Sequence, residues 1–400
     1  MRNRVLIIAG EASGDLHGAN LVKAIRAVDP SIIFRGVGSK HMLEAGVGLL
    51  WDAAEMAVVG LPGVDRLATI FNVFRMVSSI LHRWQPDLVI LIDYPEFNLL
   101  IAGKAKKLGI PVMYYISPQI WAWRSGRINT IQRRVDRMVV ILPFEEKIYR
   151  EAGVEASFVG HPLLDVVSVK DKDELPRSQY VRSGNDRLVG LLPGSRYSEL
   201  SRLMPVMLDA ATILAKNLPE IRFLMPLAPT IRPDQVDPYL REVDLPLTVV
   251  EHSTYEIIQM CEIIVAASGT VTLEAAILGT PLVVVYKVNP LTYWIGKRLV
   301  RVKHVALVNL VTSQAFVPEL IQHDASPERI SQEVLDILGD TRRQEWMRQC
   351  LRDVRQRLGS PGASARAAAI ALELMGKSYS AGLHETDIHF KTTEERISLR

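Results

Sequence analysis

Val5-Leu-Ile-Ile-Ala9 runs straight into Gly10-Glu-Ala-Ser-Gly-Asp-Leu-His-Gly18. That is an apolar run, a turn with glycines at 10, 14 and 18, and then helical periodicity over 16–28. An unbroken apolar run of this length reads as a strand buried on both faces, and the glycine turn hands it to a helix. The pattern repeats outward from here. Segments 32–37, 88–92, 112–116, 138–142 and 157–159 are predicted strands, with predicted helices at 97–108, 126–134 and 144–152 between them. Strands alternating with helices make a parallel sheet covered on both sides. The same rhythm restarts with predicted strands at 188–192, 223–226, 247–250, 263–266 and 282–285. The expected fold class is α/β, with two Rossmann-like, doubly wound parallel-sheet domains facing a central cleft. Their expected bounds are 1–166 and 187–358, joined by the polar, charge-rich linker 167–186. Segment 326–376 is helical in pattern. Its last helix, 363–376, is expected to pack on the first domain or to swap to the partner in a homodimer. Residues 377–400 lose periodicity and read as a disordered tail.

Composition narrows the class. The chain has 400 residues, 48% hydrophobic, 23% charged and 6% aromatic, which excludes intrinsic disorder and collagen-like repeats. Two cysteines, Cys261 and Cys350, are too few for a disulfide framework or a cysteine-rich metal site. The net charge of +3 is small, but residues 97–135 and 275–318 contain no acid at all. The first stretch carries Lys104, Lys106, Lys107, Arg124, Arg127, Arg133 and Arg134, and the second Lys287, Lys297, Arg298, Arg301 and Lys303. Such positive fields suit phosphate groups or an anionic surface. No nucleic-acid module accompanies them, so phosphorylated small molecules or a membrane are expected rather than nucleic acid. The first apolar run is too short for a secretory signal. The longest charge-free stretch, 108–123, is broken by Pro111 and Pro118, so no membrane span is expected.

In open parallel sheets ligands bind beyond the carboxyl ends of the strands, so the residues that follow each strand are the candidates. The first turn gathers Glu11, Ser13, Asp15 and His17. Its glycines do not match G-x-G-x-x-G, and spacing alone leaves helix capping by Asp15 open. Predicted strand 88–92 ends in Asp93-Tyr-Pro-Glu-Phe-Asn98. There an acid at the cleft mouth is either a general base or a cap. Ser117-Pro-Gln-Ile-Trp-Ala-Trp-Arg124 is either a sugar platform or an aromatic plug. In the second half, Gly194-Ser195-Arg196 and Ser268-Gly269-Thr270 follow strands and open helices, which offers phosphate two helix starts and a guanidinium. Glu274, one turn into the second of these helices, is placed to accept hydrogen bonds from ribose hydroxyls.

In series, Gly10-Glu-Ala-Ser-Gly-Asp15, Asp93-x-Pro-x-Phe-Asn98, Ser117-Pro-Gln-x-Trp-Ala-Trp-Arg124, Leu142-Pro-Phe-Glu145, Gly160-His-Pro162, Leu192-Pro-Gly-Ser-Arg196 and Ser268-Gly-Thr-x-Thr-Leu-Glu274 resemble the lipid-A-disaccharide synthases. The resemblance runs in order from about residue 4 to about residue 375 and departs at Glu96, where that family usually has Asp. It implies a GT-B glycosyltransferase that uses neither metal nor cofactor. Such an enzyme joins UDP-2,3-diacylglucosamine to 2,3-diacylglucosamine 1-phosphate, with inversion, to give a β-1′,6-linked disaccharide and UDP. It further implies Asp93 as the base and Arg196 with Ser268–Thr270 on the diphosphate. Glu274 would hold the ribose and Asn309 would line the UDP side. Glu11, Ser13, Asp15, Asn98, Gln119 and His161 would lie around the sugars. The resemblance implies a cytoplasmic enzyme, peripheral on the inner face of the inner membrane of a Gram-negative bacterium. Leu67, Ile70, Phe71, Phe74, Val77 and Leu81 share one apolar face of segment 61–84, which is then expected to meet lipid. The alternatives within the same fold are a UDP-N-acetylglucosamine 2-epimerase and a peptidoglycan-precursor transferase.

Overall fold

The computed structural model describes residues 3–53, 64–121, 125–241, 243–251, 253–289, 293–294 and 302–377. Trp123, Arg124, Lys297, Arg298, Arg301, the start of segment 61–84 and the tail beyond Lys377 lie outside them. Strands β1 (Arg4–Ala9), β2 (Ile33–Gly38), β3 (Gly48–Asp52), β4 (Leu88–Ile92), β5 (Val112–Tyr115), β6 (Arg137–Val140) and β7 (Ala156–Phe158) form one parallel sheet. Its order is β3-β2-β1-β4-β5-β6-β7. Strands β8 (Arg187–Leu192), β9 (Ile221–Pro226), β10 (Leu247–Val250), β11 (Ile263–Ala267), β12 (Leu282–Tyr286) and β13 (Glu319–Ile321) form the second, also parallel, in the order β10-β9-β8-β11-β12-β13.

The unbroken apolar strands follow from two-sided burial. In the first sheet Leu6, Ile8, Val89 and Leu91 enter one core, while Val5, Ile7, Ile90 and Ile92 enter the core on the opposite face. Strand residues alternate faces, so a strand with a core on each side has no polar position left. Two strands escape this signal. β3 is a half-buried edge strand, and β13 has three residues of which only Leu320 is buried.

The chain leaves the first sheet through 159–167 and returns through 358–362, and the two passes are bonded together. His161 N–H donates to the Leu358 carbonyl at 2.9 Å, Gly362 N–H to Asp165 Oδ1 at 2.5 Å, and Arg366 Nε to the Val159 carbonyl at 2.8 Å. Between the passes, 167–186 carries two short 3₁₀ turns and ends on the buried Asp186. The final helix, Ala363–Leu374, packs against helix Ala12–Val28 and adds Ala367, Ala371 and Leu372 to the core of the first sheet. Lys377 Nζ closes the arrangement on Asp29 Oδ2 at 2.5 Å.

Helix Val64–Trp84 corrects one expectation. Val77 and Leu81 are fully buried, and Ile70 and Phe74 pack on the core beneath the first sheet. Phe74 meets Phe97 edge-on at 6.4 Å between ring centres. The face expected to meet lipid is therefore mostly core. Phe71, 58% exposed, projects from it, and the Leu67 side chain lies outside the described residues.

Candidate active site

The winding of the first sheet reverses beside β1. The chain builds β2 and β3 on one side, then places β4 on the other. At such a reversal the loops after the two central strands part and leave a crevice. Glu11 and Asp93 stand there. Asp93 and Tyr94 both adopt left-handed backbone, with φ of 51° and 43°, a conformation that costs non-glycine residues on the order of 1–3 kcal/mol. The surroundings hold it in place. Asn98 Nδ2 donates to the Ile92 and Asp93 carbonyls at 3.0 and 2.6 Å, and the Tyr114 hydroxyl donates to the Asp93 carbonyl at 2.5 Å. Gly10 is required by the close approach, because a Cβ there would lie 2.6 Å from Tyr94 Cβ.

The Asp93 carboxyl is pushed up to about 6, first by burial and then by Glu11, with Glu96 adding to the effect. Glu96 itself is ion-paired with Arg127. A carboxylate that ionises just below neutrality, placed at the reversal of a parallel sheet, is suited to accept a proton in a reaction.

The other residues of this half divide. Glu11 and Ser13 are exposed at the start of helix Ala12–Val28, and Gln119 is exposed in the loop after β5. Asp15 is spent elsewhere. Its carboxylate accepts from Ser39 N–H at 2.5 Å, His41 N–H at 2.9 Å and Met42 N–H at 3.3 Å, capping helix Lys40–Glu44. This corrects its expected contact with sugar. Asn98, fully buried, likewise supports Asp93 through its amide nitrogen, while its Oδ1 has no hydrogen-bond partner among the described residues. His161 is 5% exposed, and its Nδ1 accepts from Leu163 N–H at 3.2 Å, leaving only Nε2 for a ligand. Burial and neighbouring His17 hold it neutral, at about 3.

The second sheet reverses between β8 and β11, and both expected phosphate turns lie at those strand ends. In the first, Gly194 has φ of +116°, and a Cβ would sit 2.5 Å from Glu199 Oε2. That carboxylate already accepts from the Ser195 and Arg196 N–H groups at 3.1 and 3.3 Å. The backbone donors of this turn are therefore spent internally, which corrects part of the expectation. What remains for a ligand is the exposed Ser195 side chain and the Arg196 guanidinium, 71% exposed although its Nη1 lies 3.5 Å from Glu199 Oε1. In the second turn, Ser268 Oγ donates to the Val305 carbonyl at 3.2 Å, and Gly269 and Thr270 are exposed at the start of helix Val271–Leu278.

Glu274 faces inward one turn further on, with no side-chain hydrogen bond among the described residues. Burial alone pushes it up to about 7. Asn309 corrects another expectation. Its Nδ2 donates to the Val317 carbonyl and Glu319 Oε1 at 2.9 and 2.8 Å, and its Oδ1 accepts from Phe316 and Val317 N–H. An amide has no further capacity, so this side chain is an internal latch and not a UDP contact.

Gly269 offers a clean test. A Cβ there would meet nothing within 4 Å, and its backbone is not left-handed. Gly269→Ala is therefore expected to fold with unchanged or slightly raised melting temperature, since losing a glycine stabilises by about 0.4–1 kcal/mol where the backbone permits. If the turn receives a diphosphate, UDP affinity measured by calorimetry falls. Unchanged affinity removes Gly269 from the site.

Tyr114 and Glu145 have roles outside the expected set, and His17 stood in the first turn without an assigned role. His17 is held neutral by burial at about 4, and Tyr114 supports Asp93. Glu145 sits 2% exposed beneath the 117–121 loop. Only Glu145 had a local signal, a proline two residues ahead of an acid in the first turn of helix Pro143–Glu151. Among the described residues, no three His, Cys, Asp or Glu side chains are grouped to hold a metal.

Comparison with known proteins gives this geometry its family. A lipid-A-disaccharide synthetase family model matches residues 5–373. A lipid-A-disaccharide synthase of Syntrophus aciditrophicus is 51% identical over 377 residues, covering 94% of this chain and 98% of that relative. One of Geobacter metallireducens is 47% identical over 375 residues, again with 94% and 98% covered. Among solved structures, the calicheamicin glycosyltransferase CalG4 superposes with a TM-score of 0.63 at 14% identity, covering 94% of this chain and 99% of that one. A UDP-GlcNAc 2-epimerase from Neisseria meningitidis bound to UDP-GlcNAc gives 0.58 at 13%, covering 93% and 99%. At such identities the structural likenesses show the GT-B fold alone, whereas the near-full-length matches show more: this chain belongs to the lipid-A-disaccharide synthetase family.

Proposed function

We propose that this chain transfers 2,3-diacylglucosamine from its UDP conjugate to the 6-hydroxyl of 2,3-diacylglucosamine 1-phosphate. The observation that carries the proposal is Asp93, a carboxylate on left-handed backbone, poised near neutrality at the reversal of the first sheet. In one displacement Asp93 takes the proton of the acceptor 6-hydroxyl as that oxygen bonds to the anomeric carbon. The bond from that carbon to the UDP oxygen breaks on the opposite face, so an α-linked donor yields a β-linked product. Arg196 and the start of helix Val271–Leu278 receive the charge that develops on the departing diphosphate. Glu274 accepts from the ribose hydroxyls, which gives its unpaired carboxylate the donors it lacks. The stereochemistry tests this directly. Proton coupling at the new anomeric centre should report a β linkage, and an α linkage would rule out a single displacement by Asp93.

An epimerase needs no second sugar and no apolar surface. The epimerase likeness is one of fold, and whole-chain identity favours the synthases.

Acylated substrates call for a peripheral position on the cytoplasmic face of a membrane. Among the described residues no helix is long and apolar enough to span one. Phe71 is exposed, with the Arg75 guanidinium 6.0 Å from its ring centre, and Leu100 on the neighbouring helix Pro95–Lys107 is 52% exposed. An exposed aromatic flanked by cations suits an anionic interface. Phe71→Ser is expected to weaken sedimentation with anionic phospholipid vesicles while leaving the melting temperature nearly unchanged. Leu81→Ala, at a fully buried position, should instead cost roughly 2–5 kcal/mol of stability. Wild-type vesicle binding by Phe71→Ser would remove that residue from the interface.

A further inference from the structure

Strands β4 and β5 end side by side, with Ile92 in register with Tyr115. One residue beyond that pair, both chains turn left-handed, Asp93 at φ 51° and Ile116 at φ 62°. For a β-branched residue this is a true outlier, retained only where the surroundings over-determine it. Asp93 has its own supports, described above. Ile116 opens the 117–121 loop, and that loop is tied to a single buried carboxylate.

Glu145 Oε1 accepts from Ser117 Oγ at 2.6 Å and from Trp121 Nε1 at 3.0 Å, and its Oε2 accepts from Leu142 N–H at 3.2 Å. The Tyr149 hydroxyl adds a bond to the Pro118 carbonyl at 3.2 Å. Trp121 lies edge-on to Phe144 at 5.1 Å, and both pack against the core of the second sheet. The loop thus starts beside Asp93 and ends against the other half of the protein. Burying a carboxylate is costly, and a loop that needed only to be covered would be held as well by apolar packing.

We propose that Glu145 is a positioning residue for the transfer reaction. It fixes the 116–121 loop as the wall of the acceptor subsite and so holds the reacting hydroxyl against Asp93. Gln119, exposed from that loop, is the side chain presented to the acceptor. The inference rests on the proposed transfer for its kinetic readout, and hydrogen exchange supplies a second readout that does not.

The test compares Glu145→Gln, Trp121→Phe and their double variant with wild type in the full chain. Gln keeps the shape but sets its amide N–H against the Leu142 N–H. Phe keeps the Trp121 ring position but removes its donor. Small misplacements of reacting groups cost up to about a hundredfold, so kcat with both sugars is expected to fall ten- to a hundredfold in Glu145→Gln. The donor KM and UDP affinity, which read the second sheet, should hold within about twofold, as expected for distant independent sites. The double variant should fall little further than the worse single one. Amide exchange should quicken at 116–121 and at 93–98 while β8 and β11 keep wild-type protection.

Lowered melting temperature with wild-type kcat in the folded protein would mean that Glu145 is only structural, and would overturn the proposal. So would unchanged exchange at 93–98. If Glu145→Gln does not fold, Ser117→Ala and Trp121→Phe carry the same expectations. Wild-type protein that makes no disaccharide would refute the transfer itself, while the exchange experiment would still decide the latch.

Discussion

Replacing Asp93 by Asn is expected to abolish most turnover and to make the protein more stable. Losing a general base costs roughly 10²–10⁴ in rate, and Asn keeps the size of the side chain and tolerates the left-handed backbone that Ala would not. The stability gain follows from linkage. The carboxyl rises from 3.8 to about 6 on folding, so the fold favours its protonated form. That contribution is complete below the unfolded value and is lost as pH climbs through 6, leaving an uncompensated charge at neutrality. A neutral amide escapes this loss, worth on the order of 1–3 kcal/mol. A melting curve at pH 7.5 should therefore show the variant above wild type, with the gap closing toward pH 4. Wild-type kcat should rise with pH and level off above about 6, while the residual rate of the variant stays flat. Near-wild-type turnover in Asp93→Asn would remove Asp93 from the mechanism.

Glu274→Gln should act on the donor instead. Its carboxyl is lifted to about 7 by burial and has donors to gain from a ligand. A charge-assisted hydrogen bond is worth roughly 1.5–3 kcal/mol, so UDP affinity is expected to fall about ten- to a hundredfold. Binding to wild type should tighten as pH rises through 7 and the carboxylate forms, a trend the Gln variant lacks. The same linkage raises the stability of Glu274→Gln above pH 7, because the group ionises against its burial. Calorimetry at two pH values decides. Equal UDP affinity in variant and wild type would leave Glu274 a buried acid without a ligand.

What the sequence disclosed and what it hid have a common physical basis. β1, β4, β8 and β11 were legible because burial on both faces leaves an unbroken apolar run, and the loops after them were legible because strand ends define crevices. β3 and β13 were not, being edge strands with one poorly covered face. Side-chain roles were harder, because partners distant in sequence leave no local trace. Asp15 caps a helix at 40–44, Asn309 closes on Glu319, and Glu145 holds a loop that starts 28 residues earlier. Glu199 was within reach, since an acid three residues after Arg196 is the spacing of a capping box. In helix Val64–Trp84 the apolar surface is broad enough that core and exposed positions cannot be separated by period alone. Packing of Val73, Val77 and Leu81 against the sheet separates them.

The proposed transfer requires two sugars. Protein incubated with UDP-2,3-diacylglucosamine should release UDP only when 2,3-diacylglucosamine 1-phosphate is also present, in proportion to the disaccharide formed. UDP released at the same rate without the acceptor, or a sugar epimerised at C2 in its absence, would contradict it.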